Sequence, residues 1–144
     1  MPRQQAYMKK KAAEAALDFI QKHSIIGLGS GSTVNALIDA LSLNRHKLEG
    51  VVAASTTTEA RLKAAQIPIV DLNYAGVLPL YIDGTDEVNA QLQLIKGKGG
   101  ALTREKIIAS ASQQFICIAD ESKFVSLLGE KAIPIEVIQW EEVM

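Results

Sequence analysis

The sequence predicts an α/β fold, a mostly parallel sheet flanked by helices, and three observations carry that expectation. Short apolar runs alternate with helical periodicities along the whole chain. Several of these runs are apolar on both faces, as strands of a covered parallel sheet are. Polar, charged or glycine-rich loops follow them, where an open parallel sheet keeps its ligand site. The 144 residues suffice for one core and read as a single domain over 1–144. At 48% hydrophobic, the chain is not a disordered one.

The elements follow in order. Ala13, Ala16, Leu17 and Ile20 have the spacing of an amphipathic helix with a basic start. "SIIGLGS" (24–30) reads as a short buried strand running into a glycine loop. Val34, Leu37, Ile38 and Leu41 place a second helix directly after that loop. "GVVAAS" (50–55) is the next strand, and "TTEARLKAAQ" (57–66) a short helix with Thr57 or Thr58 as its cap. "IPIVDL" and "PLYIDG" are two further strands, and "LQLI" (92–95) is a hairpin arm. A helix over Thr103–Ser112, a buried strand "QFICIAD" and a final strand "IPIEVI" complete the pattern.

Composition excludes several classes of function. A net charge of −1 creates no general field for nucleic acid or an anionic membrane. No apolar run approaches the ~20 residues of a membrane span, and the N-terminus lacks a signal-type apolar stretch. The single cysteine, Cys117, cannot form an intramolecular disulfide, so a reducing cytoplasm and a buried structural thiol are expected. His23 and His46 are not set at metal-ligand spacing, so no protein-bound metal is expected.

Four loops hold the chemistry. In "GLGSGST" (27–33), glycines bare the backbone amides, a helix N-terminus adds positive potential, and Ser30, Ser32 and Thr33 add hydroxyls. An anion site and a capped tight turn both fit. The loop departs from the dinucleotide pattern, because Ser32 holds the last glycine position, and the Walker pattern is absent. "DGTDE" (83–87) sets Asp83 and Asp86 beside the glycine loop if both strands end at one edge, and offers more acids than a turn requires. "KGKGGALTRE" (96–105) offers Lys96 and Lys98 on glycine hinges, with Glu105 in the first turn of a helix. There the carboxylate suits a base, but equally complements the helix dipole, which would lower its pKa. In "ADESK" (119–123), Ser122 or Asp120 caps a helix, and Lys123 reads as a further cation or as a solvated surface residue. Acids, ammonium groups and an anion loop together suit proton transfer on a small phosphorylated, hydroxylated substrate.

"GLGSGSTV", "DGTDEVN", "IKGKGGALTREKIIA" and "FICIADESK", in this order and spacing, resemble the N-terminal catalytic part of type A ribose-5-phosphate isomerases. The resemblance spans nearly the whole chain. It implies a Rossmann-like open sheet and interconversion of D-ribose 5-phosphate and D-ribulose 5-phosphate through a cis-enediolate. It also implies no cofactor, a place in the non-oxidative pentose phosphate pathway, and a cytoplasmic homodimer or tetramer. By position, Glu105 resembles the base that moves a proton between C1 and C2. Asp83 resembles the acid acting on sugar oxygens and in ring opening. Lys96 would stabilise charge on the enediolate oxygen, and Asp86 would hold a sugar hydroxyl. Ser30, Gly31, Ser32, Thr33 and Lys123 match substrate positions at the phosphate end, with Lys9 as a further candidate. Gly84, Thr85, Gly97, Lys98 and Gly99 complete the implied substrate contacts. Lys98 stands where the family has a small residue. The family continues into a smaller α+β domain near "VIQWEEVM", and that domain is expected to be missing here. Three readings compete: a sugar-phosphate-binding regulatory domain, a transferase in which Glu105 is a nucleophile, and an inactive truncated remnant.

Overall fold

A computed structural model describes residues 2–44, 48–137 and 139. Helix α1 (Pro2–Ile20) leads to strand β1 (Ile25–Leu28), and α2 (Ser32–Asn44) to β2 (Gly50–Ala53). Next come α3 (Thr56–Ala64), the one-turn α4 (Leu72–Ala75) and β3 (Leu78–Asp83). A small hairpin, β4 (Glu87–Val88) and β5 (Leu94–Ile95), precedes α5 (Leu102–Ser110) and β6 (Ser112–Cys117). A 3-10 turn spans Glu121–Lys123.

The main sheet is parallel throughout, in the order β2-β1-β3-β6. The chain leaves β1 towards β2 on one side, then crosses back to lay β3 on the other. The end of β1 is therefore a topological switch point, where open sheets leave a crevice at their carboxyl edge. Leu28 pairs with Ile82 in register, so the loops after β1 and β3 open side by side.

Both faces of the inner strands are covered, but the edge strand β6 is not the buried strand its apolar sequence suggests: Gln113, Gln114 and Phe115 are exposed, because β6 pairs only with β3. The i, i+3, i+4 stripes of α1 (Ala13, Ala16, Ile20) and α2 (Val34, Leu37, Ile38, Leu41) pack on Ile26, Leu28, Leu80 and Ile82. On the opposite face Ile108 of α5 packs with Val52, Leu78 and Tyr81. Burial of strands on two sides is why their sequences read as continuous apolar runs. No helix among the described residues is long and apolar enough to cross a membrane.

Three further sequence expectations give way. "IPIVDL" forms no strand: Ile69 makes a single bridge to Val51, and the Asp71 carboxylate then accepts the Asn73 amide to start α4. That local Asx bond competes with extension of a ladder. The cap of α3 is Ser55 rather than Thr57 or Thr58; its Oγ accepts the Thr58 amide at 3.1 Å. Thr58 Oγ1 instead donates to Gly29 O at 2.8 Å, tying the start of α3 to the glycine loop. "IPIEVI" is not a strand over its described part, residues 133–137, whose Ile133, Ile135 and Val137 are exposed; Ile138 lies outside the described residues, as does His46.

Candidate active site

Asp83 is the centre of the site. It is the last residue of β3, wholly buried, at the switch point. A buried carboxylate is tolerated only when its oxygens are well partnered. Oδ1 accepts the Gly84 amide at 2.7 Å and the Ser30 amide at 3.2 Å. Oδ2 accepts the Tyr81 hydroxyl at 2.5 Å and lies 3.0 Å from Lys96 Nζ. Gly29 lets the loop come this close, since a Cβ there would stand 1.8 Å from Asp83 Cγ. "GLGS" and "DG" therefore form one unit.

Lys96 follows β5 on the hairpin. Thr85 Oγ1 donates to Ile95 O at 2.9 Å, and the Asp86 amide to the same carbonyl at 2.9 Å. The hairpin is thus fastened to the loop that carries Asp83, and the lysine lands over it. Its Nζ donates to Gly84 O at 2.6 Å and lies 3.4 Å from Glu105 Oε2. One ammonium group bridges the two carboxylates expected to do the chemistry.

Glu105 sits in the first turn of α5 and is only 6% exposed. The dipole argument predicts a lowered pKa, and the structure reverses it. Burial, then the charge of Asp83, push the Glu105 carboxyl above the usual range, with Lys96 opposing them. Apart from that ion pair, Oε2 is buried without a hydrogen-bond partner. The group is a base whose strength desolvation has increased.

A cavity of about 140 Å³ adjoins these groups. Ser30, Gly31, Ser32 and Thr33 line one wall, and Gly84, Thr85 and Asp86 another. Lys96, Gly97, Gly99, Glu105 and Lys123 close it. The α2 N-terminus, Ser30, Ser32 and Thr33 stand at one end of this cavity together with Lys123, a combination with positive potential. Positive φ at Gly97 (109°) turns the chain away just after Lys96.

Two expected contacts fall elsewhere. Lys98 is exposed and lines a separate outer groove along α5; only its backbone amide reaches inward, donating to Asp86 Oδ2 at 2.9 Å. Lys9 lines a different cavity, between α1 and α2. Its charge is felt by Asp120, whose carboxyl burial would raise but Ser122, Lys123 and Lys9 together hold low. Cys117 is half-buried rather than buried and pairs in register with Asp83; burial pushes its thiol up to about 11. Among the described residues no cluster of three or more His, Cys, Asp or Glu side chains is placed to hold a metal.

Two residues with no assigned role prove important. Tyr81 reads as one more apolar position of its strand, although the i, i+2 spacing to Asp83 places both on one face. Glu87 counts as one acid among three in "DGTDE". It is in fact buried, and its carboxylate accepts the Gly129, Glu130 and Lys131 amides at 2.8, 3.3 and 3.0 Å. These bonds fasten the segment beyond Lys123 to the hairpin carrying Lys96.

Fold and site define an open-sheet α/β protein with a polar cavity and a carboxylate–lysine–carboxylate cluster at its switch point. A family model described as ribose 5-phosphate isomerase A (phosphoriboisomerase A) matches residues 50–143, and the chain belongs to that family. Ribose-5-phosphate isomerase A of Legionella pneumophila (strain Corby) is 54% identical over 131 residues, 91% of this chain and 61% of that protein. The crystal structure of ribose 5 phosphate isomerase A from Neisseria gonorrhoeae matches with a TM-score of 0.84 and 50% identity, over 88% of this chain and 56% of that one. A D-ribose-5-phosphate isomerase solved in complex with phospho-erythronic acid matches at 0.81 and 40%, over 87% and 56%. The chain thus spans about three fifths of the curated relative's length.

Proposed function

We propose that the protein is an aldose–ketose isomerase interconverting D-ribose 5-phosphate and D-ribulose 5-phosphate through a cis-enediolate. The observation that carries the reading is Lys96, held 3.0 Å from Asp83 and 3.4 Å from Glu105 beside the cavity. Deprotonation next to a carbonyl needs a base at carbon, a cation at the developing oxyanion and an acid–base group at the neighbouring oxygen. Glu105, Lys96 and Asp83 fill these roles in that order. The phosphate occupies the Ser30–Thr33 end with Lys123, and the sugar hydroxyls meet Asp86 and the Gly84–Thr85 backbone. A relative of this fold binds phospho-erythronic acid, a phosphorylated hydroxy acid whose carboxylate carries two oxygens on one carbon, as an enediolate spreads charge over two. That ligand chemistry supports both ends of the assignment. The reading includes a cytoplasmic, homo-oligomeric enzyme of the non-oxidative pentose phosphate pathway.

Catalysis relocates two protons, one from C2 to C1 and one from O2 to O1. Glu105 removes the C2 proton of the open-chain aldose while Lys96 neutralises charge on the carbonyl oxygen. The same carboxylic acid returns the proton to C1, and Asp83 takes the O2 hydroxyl proton and delivers it to O1. Burial that raises the Glu105 pKa favours abstraction, while Lys96 keeps the group ionised enough to serve.

Glu105→Gln keeps shape and removes the base. Formation of the ketose phosphate should fall by about 10²–10⁴, with affinity for phospho-erythronate retained within a fewfold. Turnover within tenfold of the parent chain would sink the assignment.

A further inference from the structure

Asp83 and Glu105 share one lysine in a closed space, and the donors around them are unequal. Asp83 accepts from the Tyr81 hydroxyl, the Ser30 amide and the Gly84 amide, besides its ion pair with Lys96. Glu105 Oε2 has only the longer approach of Lys96. Of these donors the Tyr81 hydroxyl is the one contributed by a side chain that plays no part in the mechanism above. Its ring is built in: it is 1% exposed and stacks on Phe115 with centroids 5.4 Å apart. It also lies over Gly27, where an added Cβ would come within 3.0 Å of Tyr81 Cδ2. The hydroxyl therefore points at Asp83 from a fixed lever.

We infer that the Tyr81 hydroxyl is a positioning group that fixes the Asp83 carboxylate beside Lys96 and Glu105, so that Glu105 is the carboxylate that takes up the substrate's carbon proton. Closely placed carboxylates do not both remain charged as pH falls; the one with poorer stabilisation takes the proton. Removing one donor from Asp83 loosens its placement beside Glu105. The phenol can serve as a permanent donor, because burial, then the neighbouring Asp83 charge, push its pKa far above the ordinary range. The other groups around the pair do not replace it. Glu105 comes from α5, Lys96 from the segment after β5, and Cys117 from β6 with its thiol pushed up to about 11. The β1–α2 loop contributes the Ser30 amide. The inference rests on the isomerase reading only for the source of the proton and the kinetic consequence.

The test is a carbon NMR titration of the Glu105 side-chain carboxyl in the full chain, comparing the parent with Tyr81→Phe. Phenylalanine keeps the ring stack and deletes only the hydroxyl. In the parent, Glu105 takes up its proton above the usual carboxyl range. In Tyr81→Phe the Asp83 carboxylate is no longer fixed beside Glu105 and repels it less, so the Glu105 midpoint falls by at most about one to two pH units, the value of a hydrogen bond to a charged group. Phe115→Leu removes the stack but keeps the hydroxyl; it should lower the melting temperature and leave the Glu105 midpoint intact. A Glu105 midpoint unchanged in Tyr81→Phe, or within the usual carboxyl range in the parent, overturns the inference. In turnover assays the acid limb of the rate profile should move with the titration while KM stays within about threefold. A parent chain that titrates as described yet forms no ketose phosphate would leave the positioning role of Tyr81 standing and remove the isomerase reading.

Discussion

Gly29→Ala is the sharpest single perturbation of the site. Both backbone groups of Gly29 are pinned: its amide donates to Ile82 O at 2.9 Å, and its carbonyl accepts Thr58 Oγ1 at 2.8 Å. An added methyl would lie 1.8 Å from Asp83 Cγ and 2.0 and 2.2 Å from its oxygens. Ordinary contact begins at 3.4 Å, so loop or carboxylate must give by about 1.6 Å. A backbone held at both ends resists, and the carboxylate moves. Overpacking of this kind costs about 1–3 kcal/mol. Losing the Tyr81 bond to a charged acceptor adds roughly 1.5–3 kcal/mol. A total near 4 kcal/mol lowers Tm by about 10 °C in a domain of this size. Displacing a reacting group by more than 1 Å also costs about 10² in rate. The assay pairs thermal melting with ketose phosphate formation. A variant melting within 2 °C of the parent and turning over within threefold would refute the claim that Gly29 is required by the proximity of Asp83.

Two further outcomes follow from the same geometry. The Lys131 and Gly129 amides, against the opposing effect of burial, hold the Glu87 carboxyl below its ordinary 4.5. A carboxyl depressed on folding stabilises above its unfolded pKa and loses that contribution as pH falls through the folded one. Glu87→Gln should therefore melt below the parent at pH 7, with the gap closing below about pH 4; a gap unchanged down to pH 3 would count against the clasp. For Cys117, burial raises the thiol from 9.0 to about 11, so its thiolate fraction at neutral pH is about a hundredfold lower than that of a free thiol. Its reaction with a disulfide reagent should slow correspondingly. Lys96→Met, which removes a charge that lowers this pKa, should slow it further; a faster reaction would contradict the influence of the lysine charge on Cys117.

Parallel strands and their loops were legible because burial on two faces and the 3.6-residue stripes are local signals. Val51 and Ile82 announce strands by their neighbours, and Leu37 with Leu41 a helix. "IPIVDL" misleads because hydrophobicity does not reveal that the Asp71 carboxylate starts a turn. Asp83, Lys96 and Glu105 were legible by type and by resemblance, and the fold brings them into one cluster. The basicity of Glu105 was not. The helix dipole is a local property that sequence position reveals, whereas desolvation and the Asp83 charge arise only when β3 and α5 meet. For the same reason the roles of Tyr81 and Glu87 depend on partners that sequence order does not name. The Tyr81 bond merely follows the alternation of one strand, but the Glu87 bonds span 42 to 44 residues.

The contact between the Ser30 amide and Asp83 joins residues 53 apart, and each strand-end loop reaches the common edge by a crossover. No hairpin-sized piece of this chain can rehearse the site in isolation. Loop closure must be met before the buried acid finds its donors, and such non-local pairing is the slow part of folding. During synthesis, Asp83 emerges ahead of the lysine that balances it, and the shared edge is not complete until Lys123 has followed. The cluster is therefore a late product of the chain's own assembly, and a nascent chain stopped before Lys96 carries the cost of its acid without the ion pair.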